Sequence, residues 1–588
     1  MRRLGPLPWI LAATVWAGSA PPVSAQGFAA TTDVVVVEVP VQVVRDGEPV
    51  RGLSAADFEA YDGRKRVEIT GFEVLDLYAP GQKKARLPLA ARRHFLLLFD
   101  LAFSDARSVV HAREAARDLV LQGLHPQDLA AVATYSASRG PQLVLGFTAD
   151  RRQIDAALDT LGIVPDPDTP PDPLRLVVAQ HEEVRPGDDR SAVASRRTSE
   201  AAQETEALHN EAIFAELGSL GKLGERTNTA SQRNAVTAFT RSFADLGKLM
   251  GSVLGRKYVV LLSEGFDSSL VAGSTDQKER DELAQDALEG NTWEVSSEQV
   301  FGDTRSLNQI EGMLESFRRA DCTIQAVDIG GLRAAGAGAA DTPGRAGGKD
   351  SLFQMARGTG GDLIENANDL SGAMDRMLKR TGVTYVLSFQ PEKLKRDGAW
   401  RKLRVELKGA PRGTRVVHRP GYFAPKPYAE MTSLEKLLET AGQITSGEER
   451  GSIDAAVLAA PFRVAGETAY VPVLIEVDGP GLLAGTEGPT LPAEIYVYAL
   501  DEAGAIHDFL AQSFGLETAK AGPALQQSGL KFFGHLDLGP GSYSIRALVR
   551  NGLTGAYSLR VVPVEVPAWG EGRPVLLPPF VPEPPGRW

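Results

Sequence analysis

The residues best placed to do chemistry in this chain are a carboxylate and a hydroxyl in Asp100-Leu101-Ala102-Phe103-Ser104. Two further stretches carry oxygen donors: Glu264-Gly265-Phe266-Asp267, and GERTNTAS with Thr227 and Thr229. Carboxylates and hydroxyls brought together from several loops can hold a hard cation, which prefers oxygen ligands. They can equally bond loop amides or cap a helix with no metal present. Signals for catalysis are weaker. No two of the 8 histidines stand at a metal-ligand spacing, and there is no Gly-x-Ser-x-Gly elbow. The stretch GSVLGRK, 251–257, has glycines too close together for a phosphate loop and reads as a helix end. Cys322 is the single cysteine and reads as a small buried residue at a strand start. These observations predict a binding protein, not an enzyme.

What must position Asp100 is the run HFLLLFD, 94–100. It is continuously apolar and not alternating, which predicts a strand buried on both faces and Asp100 at its carboxyl end. Ligands bind at that rim in open α/β sheets. Val109, Ala112, Ala116 and Leu119 then recur at helical spacing. Strands at 129–135, 142–147, 258–263 and 322–329 alternate with helices at 150–161, 236–253 and 307–317, which predicts a mostly parallel, doubly wound α/β sheet. Asp150 is expected to cap the helix after it; Asp328, near its strand's end, reads first as an ordinary loop-start carboxylate, with lining of the crevice as the alternative. Between about 165 and 232 the pattern breaks into proline-rich, acidic and polar sequence, read as a flexible insertion.

The opening of this motif resembles that of the von Willebrand factor A domain, and more closely the secreted bacterial proteins related to it. The family signature at the first strand is Asp-x-Ser-x-Ser, and here Ala102 replaces the first serine. The likeness extends from about 30 to 425 and includes the passage around Thr359-Gly360-Gly361. It implies an A-type α/β domain over 92–425, preceded by a small β module at 28–78. It also implies a divalent-cation site for Mg2+ or Mn2+, with Asp100 and Ser104 as ligands. Thr227 or Thr229 would come from a second loop, and Glu264 or Asp267 from a third, where the family has aspartate. A partner protein could then complete the ion's shell with a carboxylate. Three readings stand: a protein-interaction rim that works through that cation site, a metal-free structural scaffold, and, behind both, an enzyme that uses the rim metal as a Lewis acid.

The remaining chain completes the organisation. Arg2 and Arg3, an apolar run and Val23-Ser24-Ala25 form a secretory leader pattern over 1–25, so the protein is expected to be exported, to the periplasm or beyond the cell. A helix at 429–445 is expected to join the last domain, whose alternating segments over 452–566 predict a β-sandwich of immunoglobulin or fibronectin type. Tyr543, after Leu538-Gly539-Pro540-Gly541, is a candidate tyrosine corner. A proline-rich tail runs over 567–588. A formal net charge of −12 argues against nucleic acid and anionic membrane as partners.

Overall fold

The computed structural model describes residues 36–76, 92–163, 172–178, 229–268, 304–330, 345–365, 382–463 and 468–568, apart from a few positions within them, together with 210, 372, 374 and 378. The leader at 1–25, most of the insertion at 165–232 and nearly all of the tail at 567–588 lie outside the described residues. Among the described residues no helix is long and apolar enough to cross a membrane.

The central element is the strand Arg93–Asp100, every residue of which is buried. It lies in a sheet of six strands, in the order Leu363–Ile364, Cys322–Asp328, Arg256–Ser263, Arg93–Asp100, Leu129–Ser136, Gly140–Thr148. Neighbours run parallel except the last pair. Phe95, Leu97 and Phe99 face a layer that includes helices Ala106–Asp118 and Arg151–Thr160. Leu96 and Leu98 face helices Thr229–Met250, Thr304–Arg319 and Arg345–Thr359. Covering both faces is what requires the unbroken apolar run, since each buried Leu or Phe contributes about 1.5–3 kcal/mol. The expected helix faces are buried: Val109, Ala112, Ala116 and Leu119 on one side, Val236, Phe239, Phe243, Leu246 and Met250 on the other. Leu307, in the first turn of its helix, instead stays 40% exposed.

The segment expected to close the α/β domain, 383–423, does not join this sheet. Val383–Phe389 pairs antiparallel with both Val37–Arg45 and Gly71–Asp76, and Thr414–His418 takes the other edge of Val37–Arg45. Trp400–Leu407 pairs with Phe58–Asp62. Val39, Val41, Phe58, Tyr385, Leu387 and Val405 form their shared core. The β module is therefore assembled from chain on both sides of the α/β layer. Neither portion alone has enough strands to bury an apolar face.

The C-terminal region has one antiparallel sheet of five strands and one of four. They enclose Val471, Val473, Ile475, Ile495, Val497 and Ile545. The Tyr543 hydroxyl donates to the Gly539 carbonyl at 3.0 Å, making the corner bond. The expected joining helix, Ser433–Ser446, starts at a capping box of Thr432 and Glu435. It is a wedge and not a tether. Leu438 enters the α/β core, whereas Ala441 and Ile444 pack with Tyr498, Leu548 and Leu559 of the sandwich. Arg546 of the sandwich donates to the carbonyls of Ile444 and Thr445 at 2.7 and 2.9 Å, satisfying the helix end.

Candidate functional site

Asp100 stands at the carboxyl end of the central strand and is 1% exposed. The chain turns sharply behind it, so the next amides point back at its carboxylate. Oδ1 accepts from the Ala102 and Phe103 amides at 2.9 and 3.2 Å, and Oδ2 accepts from Ser263 Oγ at 2.6 Å. Ser263 in turn accepts from the Gly265 amide at 2.8 Å. Burial pushes the Asp100 carboxyl up to about 6, against these hydrogen bonds, and the charge of Glu264 adds to the rise.

Position 102 therefore serves the loop through its amide while its methyl packs on the core. Ala102 and Phe103 both rest on the apolar cluster of the Thr229–Met250 layer. The Phe103 ring lies 5.6 Å from that of Phe239 and 5.8 Å from that of Phe266. Ser104 Oγ accepts from the Glu264 amide at 3.2 Å, and the Asp105 amide donates to Glu264 Oε1 at 3.4 Å. The helix cap after this loop is Asp105, which accepts from the Arg107 amide at 2.9 Å; Asp100 does not cap it.

A third loop enters beside them. The Gly330 amide donates to Asp328 Oδ1 at 3.0 Å, and a Cβ added at Gly330 would stand 3.4 Å from Glu264 Cγ. Asp328 thus borders the crevice with Glu264. A fourth segment closes the floor, where Ser351 Oγ accepts from the Phe266 amide at 3.1 Å and donates to Gly348 O at 2.8 Å. Gly265 has φ +74°, and a Cβ there would fall 2.1 Å from Gly348 O. Only glycine allows this approach.

Of the residues singled out by sequence, Asp100, Ser104 and Glu264 converge in one interlocked rim. Asp267 lies three residues beyond Glu264 and is half-buried. Thr227 lies outside the described residues; Thr229 opens the helix Thr229–Met250, and its side chain is outside them too. Sequence reasoning missed Ser263 and Ser351. Ser263 had a visible signal, a hydroxyl closing the apolar run YVVLLS, level with Asp100 in a parallel neighbour. Ser351 had none.

The described residues do not suit a hard divalent ion, which seeks about six oxygens. Asp100 already accepts three internal donors, Ala102 has no side-chain oxygen, and Ser104 accepts an amide. Among the described residues, no three His, Cys, Asp or Glu side chains converge to hold a metal.

No family model and no curated protein matches this chain. Solved structures give distant likenesses. A pilus adhesin, SpaC from Lactobacillus rhamnosus GG, is 8% identical, with 89% of this chain and 58% of that chain covered and a TM-score of 0.22. The human COPII-coat protein Sec24c is 11% identical, with 65% and 54% covered and a TM-score of 0.22. This chain spans little more than half the length of either protein. Superpositions that loose carry no weight for fold or site, which rest on the strand order and contacts above.

Proposed function

We propose that this chain is an exported binding protein with a von Willebrand A-type α/β domain, and that the Asp100 rim receives a protein partner. One observation carries the reading. From the central strand the chain moves to Leu129–Ser136 on one side; from its other neighbour, Arg256–Ser263, it moves away to Cys322–Asp328. The loops leaving these two adjacent strands diverge, which opens a crevice at their carboxyl ends. Asp100, Ser104, Ser263 and Glu264 occupy that crevice. The doubly wound strand order also supports the A-type layout.

The rim works in this reading without a metal and without turnover. The rim's other carboxylates, Glu264, Asp267 and Asp328, are each half-buried and not fully enclosed like Asp100. They favour a partner that presents lysine or arginine, in place of the carboxylate that a cation would require. The test is capture of envelope or extracellular proteins by the purified chain in the presence of chelator. Glu264→Lys with Asp267→Lys should weaken the retained partner at least tenfold while the unfolding midpoint stays within a few degrees. Calorimetric titration of Mg2+ and Mn2+ should show no sub-millimolar binding that Asp100→Ala removes. Such binding would restore the cation reading.

A scaffold role is the second reading, favoured by the bracing between layers. Asp172 accepts from Tyr498 of the sandwich and from the amides of Leu174, Leu176 and Val177. Asp150 caps the helix Arg151–Thr160 and also accepts from the Ile506 amide at 3.2 Å. Partner capture indifferent to the rim reversal would favour this role.

A further inference from the structure

The amino ends of the same parallel strands hold a second feature, independent of the Asp100 rim. Where Arg256–Ser263 and Cys322–Asp328 begin, the α/β layer meets the β module across a cleft of about 550 Å³. That is the size of cavity that takes a small-molecule ligand. Arg256, Arg318, Arg357 and Arg415 line it, against the carboxylates of Asp321 and Asp362. An excess of guanidinium groups is notable in a chain of net charge −12.

These arginines are not all committed to structure. Arg318 is, through Glu311, Glu315 and the Gly358 carbonyl. Arg256 gives one nitrogen to Gln42 Oε1 at 2.6 Å, but its buried Nε has no partner. Arg357 and Arg415 are exposed. Tyr258 also lines the cleft; it is 2% exposed, its ring stacked on Phe95 at 5.1 Å. Its hydroxyl is buried with no hydrogen-bond partner. An orphaned hydroxyl in a basic cleft costs free energy that a ligand oxygen would recover.

Two other groups on the cleft's walls are closed to chemistry. Burial pushes the Cys322 thiol up to about 12, so it is no nucleophile. The His418 imidazole accepts from the Val405 amide at 3.1 Å and bonds the Arg419 carbonyl at 2.7 Å, and burial lowers its pKa. Behind the wall, burial brings Lys257 down to about 8; the charges of Asp321 and Cys322 oppose the fall, and Arg419 and Arg256 add to it. The surroundings therefore offer charge and hydrogen bonds, with no reactive group.

We propose that this cleft binds a small multivalent oxyanion, a molecule with two or more carboxylate or phosphate groups, held by Arg256, Arg357 and Arg415 with the Tyr258 hydroxyl as a neutral donor. Guanidinium forks suit both kinds of oxyanion. The cleft spans the joint between the β module and the α/β layer, so a bound anion would tie the two together.

The experiment titrates citrate and pyrophosphate, at fixed ionic strength, into the full chain, with calorimetry and thermal unfolding as readouts. One or both should bind at sub-millimolar affinity and raise the unfolding midpoint. Citrate alone would assign carboxylates, and pyrophosphate alone phosphates. Arg357→Gln with Arg415→Gln should weaken binding at least tenfold. Tyr258→Phe should weaken it about threefold or more without lowering the midpoint of the free protein, because the hydroxyl bonds nothing there. Absence of binding by both probes at millimolar concentration would overturn the proposal. So would affinity that is unchanged in both variants, the signature of nonspecific charge.

Discussion

The two ends of the central parallel sheet are built on opposite principles. At the carboxyl end, Asp100, Ser104, Ser263 and Glu264 bond to loop amides and to one another. The polar groups there are largely satisfied from within. At the amino end, arginines surround a cleft of about 550 Å³ and the Tyr258 hydroxyl has no partner. A motif that looks like a ligand site in sequence is thus the better-closed of the two, and an unremarkable strand start is the more open. Residue types alone do not reveal which donors and acceptors remain free.

The largest effect that would test this contrast is at the amino end of the central strand itself. Arg93 and Asp128 form a buried pair, with Nε to Oδ1 and Nη2 to Oδ2 both at 2.8 Å. Arg93→Ala should cost about 3–5 kcal/mol in denaturant unfolding, because it strands a buried carboxylate. A loss below about 1 kcal/mol would mean water reaches Asp128. At the carboxyl end, Gly265→Ala should cost about 3 kcal/mol, from positive φ and collision with the Gly348 carbonyl. A small cost would show that the rim yields and is not rigid.

Next comes pH. The folded Asp100 carboxyl, at about 6, titrates above its ordinary value of 3.8. The folded state therefore holds the proton more tightly than the unfolded chain between those values. This group's contribution to stability is greatest below pH 4 and falls by about 3 kcal/mol as pH rises through 6, then levels. Asp100→Asn should flatten that part of the stability profile, measured by unfolding at steps from pH 4 to 7.5. An unchanged slope would place the carboxylate in water or beside a cation. Smaller still, Ser263→Ala should cost about 1–2 kcal/mol at pH 7 and move the Asp100 midpoint higher, since it removes a donor to the charged form. Smallest is Tyr258→Phe, whose free protein should unfold within about 0.5 kcal/mol of the parent, consistent with a hydroxyl that bonds nothing.

Much of the α/β layer was legible because its signals are local. Phe95 to Phe99 had to be covered on both faces, and Val236, Phe239, Phe243, Leu246 and Met250 could only face one way. Asp150 as a helix cap and Tyr543 as a corner followed from short-range turn chemistry, and both bonds are present. The candidate site was legible in its members Asp100, Ser104 and Glu264, but not in its state. That Asp100 would accept from Ser263, 163 residues away, depends on the register of two parallel strands.

The sequence by itself determined most strands and helices of the α/β layer, most of their apolar faces, and that a carboxylate ends the central strand; the helix Thr518–Ser528 within the expected β-sandwich was not among them. These follow from periodicity and from turn and cap residues, whose physics acts within a few positions. Only the tertiary structure decided that Val37–Arg45 pairs with Val383–Phe389 and Thr414–His418, that the Ser433–Ser446 helix is wedged between layers, and that a basic cleft opens where the β module meets the sheet. Strand partners hundreds of residues apart are chosen by which edges and faces remain unburied once the rest has folded. No local pattern encodes that choice.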